Sequence, residues 1–374
     1  MRRRPGFERL WEPDLSGVRA PLWAALTPLA ALYVGALGLR ARWWRKMAQS
    51  SPVATISVGN LTLGGNGKTP FTLFLARRLR ARGYRVAIVS RGYGRDRSRG
   101  PALVADGGRI LLPISAAGDE PAMMAHAFDG PIAVARRRID AIRMLLARGP
   151  LDAVILDDAF QHRGLRRDLD LVLVGARRSL GNGWVLPAGP LREPRSSLQR
   201  ADAIIEVSSA WANAPALSSS DRAALDGRPL LRATLRAHAL VQPAPDGWIE
   251  SACELRGRRV VAVSGLADPE GFHRLLKQLG ATIVKAFDYP DHHRYRHEDW
   301  RAILAAASAA DLVITSEKDL IKLEGFSPQP SALYAIRLEV MMEEADEARL
   351  LAMVLSAIEG RHPRTPSAAP ATLS

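Results

Sequence analysis

The chain of 374 residues holds a single cysteine, Cys253. That excludes an intramolecular disulfide framework and any zinc site built from several thiolates, and it suits a reducing compartment. Acidic residues are in short supply: 38 Asp and Glu stand against 52 Lys and Arg, a formal charge of +14. A surplus of that size points to an anionic partner, whether nucleic acid, phospholipid or a phosphorylated substrate, although an arginine-rich codon bias would give the same count. There is no internal repeat at solenoid spacing and no RNA- or DNA-binding motif, so nucleic acid is not the expected partner. What is present is ordinary for a folded body: 47 % hydrophobic and 24 % charged residues, and a length that predicts about two domains at roughly 150 residues each, plus a remainder.

Long uncharged runs are scarce too, and one stands out. Pro21 to Leu39 carries no charge, and Arg40, Arg42, Trp43, Trp44, Arg45 and Lys46 follow it. As a helix the run would be about 28 Å long, close to one hydrocarbon thickness, with a basic and aromatic flank suited to a cytoplasmic membrane interface. Its prolines and glycines leave two arrangements open, a span or a helix lying at the surface. A cleaved signal peptide and a buried core helix are the other readings.

Val53 to Val58 reads as a buried strand, and the sequence GNLTLGGNGKTP from Gly59 to Pro70 follows it into a helix with apolar positions Phe71, Phe74, Leu75 and Leu79. Strand, glycine loop and helix are in the order of a phosphate-binding loop, the alternative being a plain glycine turn. Gly64, Gly65 and Gly67 let backbone N–H groups face phosphates, Lys68 reaches the β- and γ-phosphates, and the Thr69 hydroxyl suits Mg²⁺. The general pattern places glycine where this chain has Thr62. Downstream, Ala153 to Leu156 reads as a parallel strand with Asp157 and Asp158 at its carboxyl end, where a metal-organising carboxylate belongs; a cap or turn is the plainer reading.

Beyond that pair come Ala159-Phe160-Gln161-His162-Arg163 and Leu186-Pro187-Ala188-Gly189-Pro190-Leu191-Arg192-Glu193-Pro194. Ser90-Arg91-Gly92-Tyr93-Gly94, Gly118-Asp119-Glu120-Pro121, Asp291-His292-His293 and Thr315-Ser316-Glu317-Lys318-Asp319 complete the set. Together with GNLTLGGNGKTP these motifs closely resemble the tetraacyldisaccharide 4'-kinase family, the lipid A 4'-kinases of Gram-negative bacteria, over about residues 15 to 340. The family's own loop has threonine at the position of Thr62. It usually has glycine where this chain has Ala159, and a backbone needing φ > 0 there would be strained by alanine.

The resemblance implies transfer of the γ-phosphoryl group of ATP, with Mg²⁺, to the 4'-hydroxyl of a tetraacylated glucosamine disaccharide 1-phosphate. The setting would be the cytoplasmic face of the inner membrane, beside anionic lipids, with a monomer expected. The family fold it implies is two α/β/α sandwich domains joined by a two-stranded β linker, with an N-terminal membrane helix. On this chain that predicts an anchor and basic flank at 1–50, a P-loop kinase domain at 51–228, and a second α/β domain with linker strands at 229–342. A helix at 343–360 would pack on the first domain, followed by a disordered tail at 361–374.

Asp119 matches the family's catalytic carboxylate, with Glu120 beside it arranging metal or water; from the residues alone, Asp119 is as well read as a cap for a helix starting near Pro121. His292 or His293 would meet Asp119 when the domains close, His292 being favoured. A metal site or a solvated loop are the alternatives for that motif. Arg192 and Glu193 match a pair near the nucleotide phosphates, the alternative being a surface ion pair. The nucleotide set is then Thr62, Gly64, Gly65, Asn66, Gly67, Lys68, Thr69 and Glu193; the metal set is Thr69, Asp157, Asp158, Glu120 and Gln161. Arg91 and Arg95 are candidates for the acceptor phosphate or membrane phosphates, while the run Arg136 to Arg138 reads as a solvated or lipid-facing surface. Two rival functions are a basic P-loop ATPase acting on nucleic acid and a non-catalytic membrane scaffold.

Overall fold

In the computed structural model, the described residues are 20–361 apart from 96–99, 176–178, 212–216, 218–220, 223–224, 226, 246 and 331. The tail at 362–374 and the start of the chain lie outside them, as does most of the Ala/Ser-rich stretch after residue 211.

The first half of the sheet is built from β1 (Ala54–Asn60), β2 (Val86–Ser90), β5 (Ile132–Val134), β6 (Ala153–Asp157), β7 (Leu169–Gly175) and β8 (Ala203–Ser209), ordered β8-β7-β1-β6-β2-β5 and all parallel. A short antiparallel edge, β3 (Ala102–Asp106) and β4 (Arg109–Ile110), closes it. Alternation along each strand divides the side chains between two covered faces. Ile56, Val58, Ile88 and Ile155 point to a core shared with Phe71, Leu75 and Leu79 of α2 (Lys68–Arg80). Ala87, Val89, Val154 and Leu156 point the other way, onto Ile139 and Ile142 of α5 (Arg138–Leu146). Two short helices, α3 (Ile114–Ala117) and α4 (Asp119–Ala125), lie between the edge hairpin and β5.

The second half repeats this logic. Strands β11 (Arg259–Ser264), β12 (Thr282–Asp288) and β13 (Leu312–Ser316) pair in parallel in the order β12-β11-β13. Val260, Ala262 and Ile314 meet Phe272 and Leu276 of α6 (Pro269–Gln278), while Val261, Val263 and Val313 meet Trp300 and Ile303 of α7 (His297–Ala307) and Leu320 of α8 (Glu317–Leu323).

Two long strands, β9 (Leu230–Ala244) and β14 (Leu333–Met342), join the halves as an antiparallel pair, with β10 (Gly247–Ser251) folding back on β9. They also merge what the family resemblance describes as separate sandwiches. β9 pairs with β8 at its start and with β14 along its length, so fourteen strands form one continuous sheet among the described residues. The last helix, α9 (Glu344–Glu359), packs Leu350, Leu351, Val354 and Ile358 into the core of the first half.

The uncharged run forms part of a 28-residue helix, α1 (Ala20–Met47), with Pro28 inside it. Among the described residues no helix is long and apolar enough to cross a membrane, so the expected span is not found there. The physical reason is that α1 has two faces. Leu26, Ala30 and Tyr33 pack against Leu61, Phe160, Leu191 and Leu198 of the α/β body. Leu29, Leu32, Leu39, Trp43 and Met47 face outward, with Leu32 71 % and Leu39 69 % exposed.

Candidate active site

Parallel sheets collect ligand sites at the carboxyl ends of their strands, and the predicted residues gather at that edge. β1 ends at Asn60, and the chain turns through Thr62 to Gly67 before α2 begins. Gly67, the N-cap of α2, sits at φ +71°, where an added Cβ would come 3.1 Å from Leu235 Cδ1. The first N–H groups of α2 have no intrahelical acceptor and are open to an anion. Lys68 Nζ donates to Asn60 Oδ1 at 3.1 Å and lies 3.8 Å from Asp158 Oδ1. Thr62 is the pivot of the loop: its hydroxyl accepts from Asn66 Nδ2 at 2.7 Å and its carbonyl accepts from Asn60 Nδ2 at 2.9 Å. At Gly64 and Gly65 a Cβ would meet nothing within 4 Å, which leaves the crest of the loop clear. Thr69 is half-buried in the first turn of α2.

The register of β1 and β6 sets Val58 opposite Asp157 and so brings the carboxylate to this loop. Asp157 is 1 % exposed; Thr72 Oγ1 donates to its Oδ1 at 3.1 Å, and its Oδ2 is buried with no partner. Burial pushes its pKa up to about 7, with the negative charges of Glu120 and Asp158 adding to the rise and Lys68 opposing it. Asp158 behaves differently. Burial alone would raise it, but Lys68 and Arg192 hold its carboxyl below the ordinary range. Arg192 Nη1 donates to both Asp158 oxygens at 3.0 Å. Gln161 Nε2 donates to Asn60 O at 2.9 Å, closing the loop over β1. Glu193, 4 % exposed, is an anchor: its Oε2 accepts from Arg163 and Arg200 at 2.7 Å and from Ser197 Oγ at 3.1 Å. Tyr33 of α1 donates its hydroxyl to Arg192 O at 3.0 Å, so the outer helix touches this loop directly.

Asp119 is the first residue of α4 rather than its cap. The N-cap is Gly118 at φ +91°, where a Cβ would stand 2.5 Å from Tyr93 O, so only glycine fits. From the other half of the molecule His292 brings Nδ1 to 3.7 Å from Asp119 Oδ2. Burial alone would raise the Asp119 pKa; the His292 imidazole and the charges of Lys322 and Lys318 bring it below the ordinary carboxylate value. His293 points elsewhere, with Nε2 3.0 Å from Asp299 Oδ2 and its ring stacked on Tyr289 at 4.4 Å.

Three readings change on the structure. The left-handed residue of the Asp-Asp loop is Asp158, at φ +46°; Ala159 has no positive φ and is not strained. Arg138 is not surface: it is 3 % exposed and Nη2 donates to Asp158 O at 3.5 Å, while Arg136 and Arg137 stay exposed. Burial lowers its pKa to about 10, with Arg91 adding to the fall. The signal that could have found it is topological, since it opens the helix just past the carboxyl end of β5. Arg95 is likewise buried, with guanidinium bonds to Val134 O at 3.2 Å and Gly100 O at 2.9 Å, whereas Arg91 is exposed. Sequence reasoning also passed over Asn60, the lysine's partner, and Tyr93, whose exposed ring lies 5.2 Å from that of His292.

The sequence model of the tetraacyldisaccharide-1-P 4'-kinase family matches residues 22–359. The chain belongs to this family. A tetraacyldisaccharide 4'-kinase of Anaeromyxobacter sp. (strain K) is 38 % identical over 389 residues, covering 98 % of each chain. One from Geobacter sulfurreducens is 40 % identical over 341 residues, covering 89 % of this chain and 94 % of that one. Among solved structures, the chain is similar to "apo" form LpxK from Aquifex aeolicus in complex with ATP, with a TM-score of 0.71 and 30 % identity, covering 90 % of this chain and 99 % of that one. The kinase family therefore spans the body of the molecule, α1 and α9 included.

Proposed function

We propose that this chain is a tetraacyldisaccharide 4'-kinase, transferring the γ-phosphoryl group of ATP to the 4'-hydroxyl of tetraacyldisaccharide 1-phosphate in lipid A biosynthesis. Family membership supports this over a nucleic-acid ATPase or a scaffold. The observation that carries the mechanism is the approach of Asp119 and His292 from opposite halves, next to a lysine-bearing phosphate loop. Glu120, adjacent to Asp119, is near enough to raise the pKa of Asp157, so the acceptor and phosphate sides share one electrostatic site.

Phosphoryl transfer needs positioning and charge neutralisation more than covalent help. Lys68 and the N–H groups of the Thr62–Thr69 loop hold the β- and γ-phosphates. Asp119 accepts the proton of the 4'-hydroxyl as its oxygen bonds to the γ-phosphorus, and the bond from that phosphorus to the β-phosphate oxygen breaks. Its carboxyl, held below the ordinary carboxylate value, is ionised at neutral pH and so can take up that proton. His292 orients the carboxylate, and Arg192 offers its guanidinium to charge gathering on the transferred group.

The residues present fit Mg²⁺. Thr69, Asp157, Asp158, Glu120 and Gln161 would supply hard oxygen donors, and the orphaned Asp157 Oδ2 is a buried acceptor that a cation would satisfy. Among the described residues no group of three or more His, Cys, Asp or Glu could hold a metal ion. When bound, Mg²⁺ supplies charge neutralisation on the phosphate oxygens. The exposed face of α1 would rest on anionic lipids at the cytoplasmic side of the inner membrane, leaving the site facing the disaccharide. The two halves, hinged through β9 and β14, act as the two domains that close on the substrates.

The test is a detergent assay with ATP, Mg²⁺ and tetraacyldisaccharide 1-phosphate, read by product mass, on wild type, Lys68→Ala and Asp119→Ala. A mass gain of one phosphate in wild type, lost in both variants, is expected. No gain in wild type, or a gain that survives both substitutions, overturns the reading.

A further inference from the structure

The segment Thr315-Ser316-Glu317-Lys318-Asp319 has no role in the scheme above, yet four of its side chains are tied into the surrounding fold. Thr315 Oγ1 donates to Val263 O at 2.8 Å. Ser316 Oγ caps α8, accepting from Asp319 N at 3.1 Å. Asp319 Oδ2 accepts from Gly265 N at 2.8 Å and from Ser316 Oγ at 2.7 Å. Glu317 pairs with Arg337 of β14 at 2.8 Å. These contacts build a stiff junction between β11, β13 and α8, and the remaining residue, Lys318, is held out from it toward the histidine loop.

Lys318 Nζ lies 2.7 Å from Asp291 Oδ1 and 3.1 Å from His292 Nε2. An ammonium has only donors, so it bonds Nε2 when that nitrogen carries no proton. A neutral ring then keeps its proton on Nδ1, the atom that stands 3.7 Å from Asp119 Oδ2. The backbone is set to match: His292 sits at φ +59°, a costly conformation for a side-chain-bearing residue, and its N–H donates to the same Asp291 Oδ1 at 3.0 Å. We propose that Lys318, held by Asp291, is a positioning residue that fixes His292 in its Nδ1–H tautomer and so aims a hydrogen-bond donor at Asp119. This rests on reading Asp119 as the acceptor-side base. With the donor aimed, one carboxylate oxygen faces the ring and the other is left for the hydroxyl proton. A ring with the opposite tautomer would turn a lone pair toward Asp119, which repels; on the other side Nε2 lies 3.9 Å from Asp291 Oδ2, but that carboxylate is neutralised by Lys318 at 2.7 Å.

The full chain in detergent, labelled with ¹⁵N-histidine, gives the tautomer by long-range ¹H–¹⁵N correlation at alkaline pH, where imidazole is neutral. His292→Gln identifies the signal. Wild type is expected to show Nδ1 protonated and Nε2 bare; Lys318→Met is expected to lose that pattern, with kcat down by about three- to tenfold, no more than the loss of His292 itself, and the KM for ATP unchanged. Lys318→Arg, again donor-only, is expected to keep the pattern. A wild-type ring protonated on Nε2, or a Lys318→Met ring with the pattern intact, overturns the proposal. The wild-type spectrum decides even if Lys318→Met does not fold. If the tautomer shifts as stated but Asp119→Asn retains full phosphoryl transfer, the base reading fails while the tautomer assignment holds.

Discussion

Asn60 ends a strand, Lys68 opens the helix after its loop, and Asp157 and Asp158 stand at the end of the neighbouring strand, brought together by β-ladder register, and Asp157 is almost wholly buried. Asp119 and His292 are assembled otherwise, from a short helix of one half and a loop of the other, at 3.7 Å rather than at hydrogen-bond distance. The electrostatics diverge accordingly. Burial wins at Asp157 and lifts it to about 7, whereas at Asp119 the histidine and two lysines overcome burial and lower it. A site made by strand pairing is rigid and tolerates strong desolvation; a site made by docking two bodies stays partly hydrated and depends on how closely they meet.

The sharpest way to break this contrast is Asp119→Asn. A fall in kcat of about 10²–10⁴ is expected with ATP affinity retained, and equilibrium nucleotide binding beside steady-state kinetics checks it; a parallel loss of affinity would show that the two sides are one unit. Lys68→Ala is expected to cost about 10²–10³ in kcat and to weaken ATP binding as well, as an ammonium serving the phosphates in both ground and transition states would. His292→Ala is a smaller step, about tenfold in kcat, with a signature in pH. Burial raises Asp119 and His292 is among the groups that lower it, so removing the ring lifts the Asp119 pKa and moves the acidic limb of the kcat/KM profile to higher pH. An acidic limb that stays in place would detach His292 from the base. Least affected in rate is Glu193→Gln. Because its carboxylate gathers Arg163, Arg200 and Ser197, the expected result is a loss of about 1–3 kcal/mol in calorimetric stability with kcat nearly unchanged.

Much of the phosphate side was readable in the chain. Strand, glycine loop and helix fall within about a residue or two of their predicted places because apolar alternation, glycine spacing and 3.6-residue periodicity are local signals. Arg138 was misread because a run of arginines looks like solvated surface, and nothing in the run tells which one turns inward toward the carbonyl of Asp158. The helix α1 was legible as an element, but its division into a packed face and an exposed face depends on the body it lies against. The merging of two expected sandwiches into one sheet follows from β9 pairing on both edges, a choice that lies outside any single segment.

The sequence by itself determined the chemistry available: an ammonium and N–H groups suited to phosphate, an Asp-Asp pair beside them, and an Asp-Glu and a His-His motif further along the chain. These follow from residue type and near-neighbour spacing, which act over a turn or a strand. Only the tertiary structure decided that His292 rather than His293 faces Asp119, that Lys318 stands behind it, and that Asp157 is raised while Asp158 and Asp119 are lowered. Distances between remote segments and the loss of water around a charge arise from packing, and packing is a property of the whole chain.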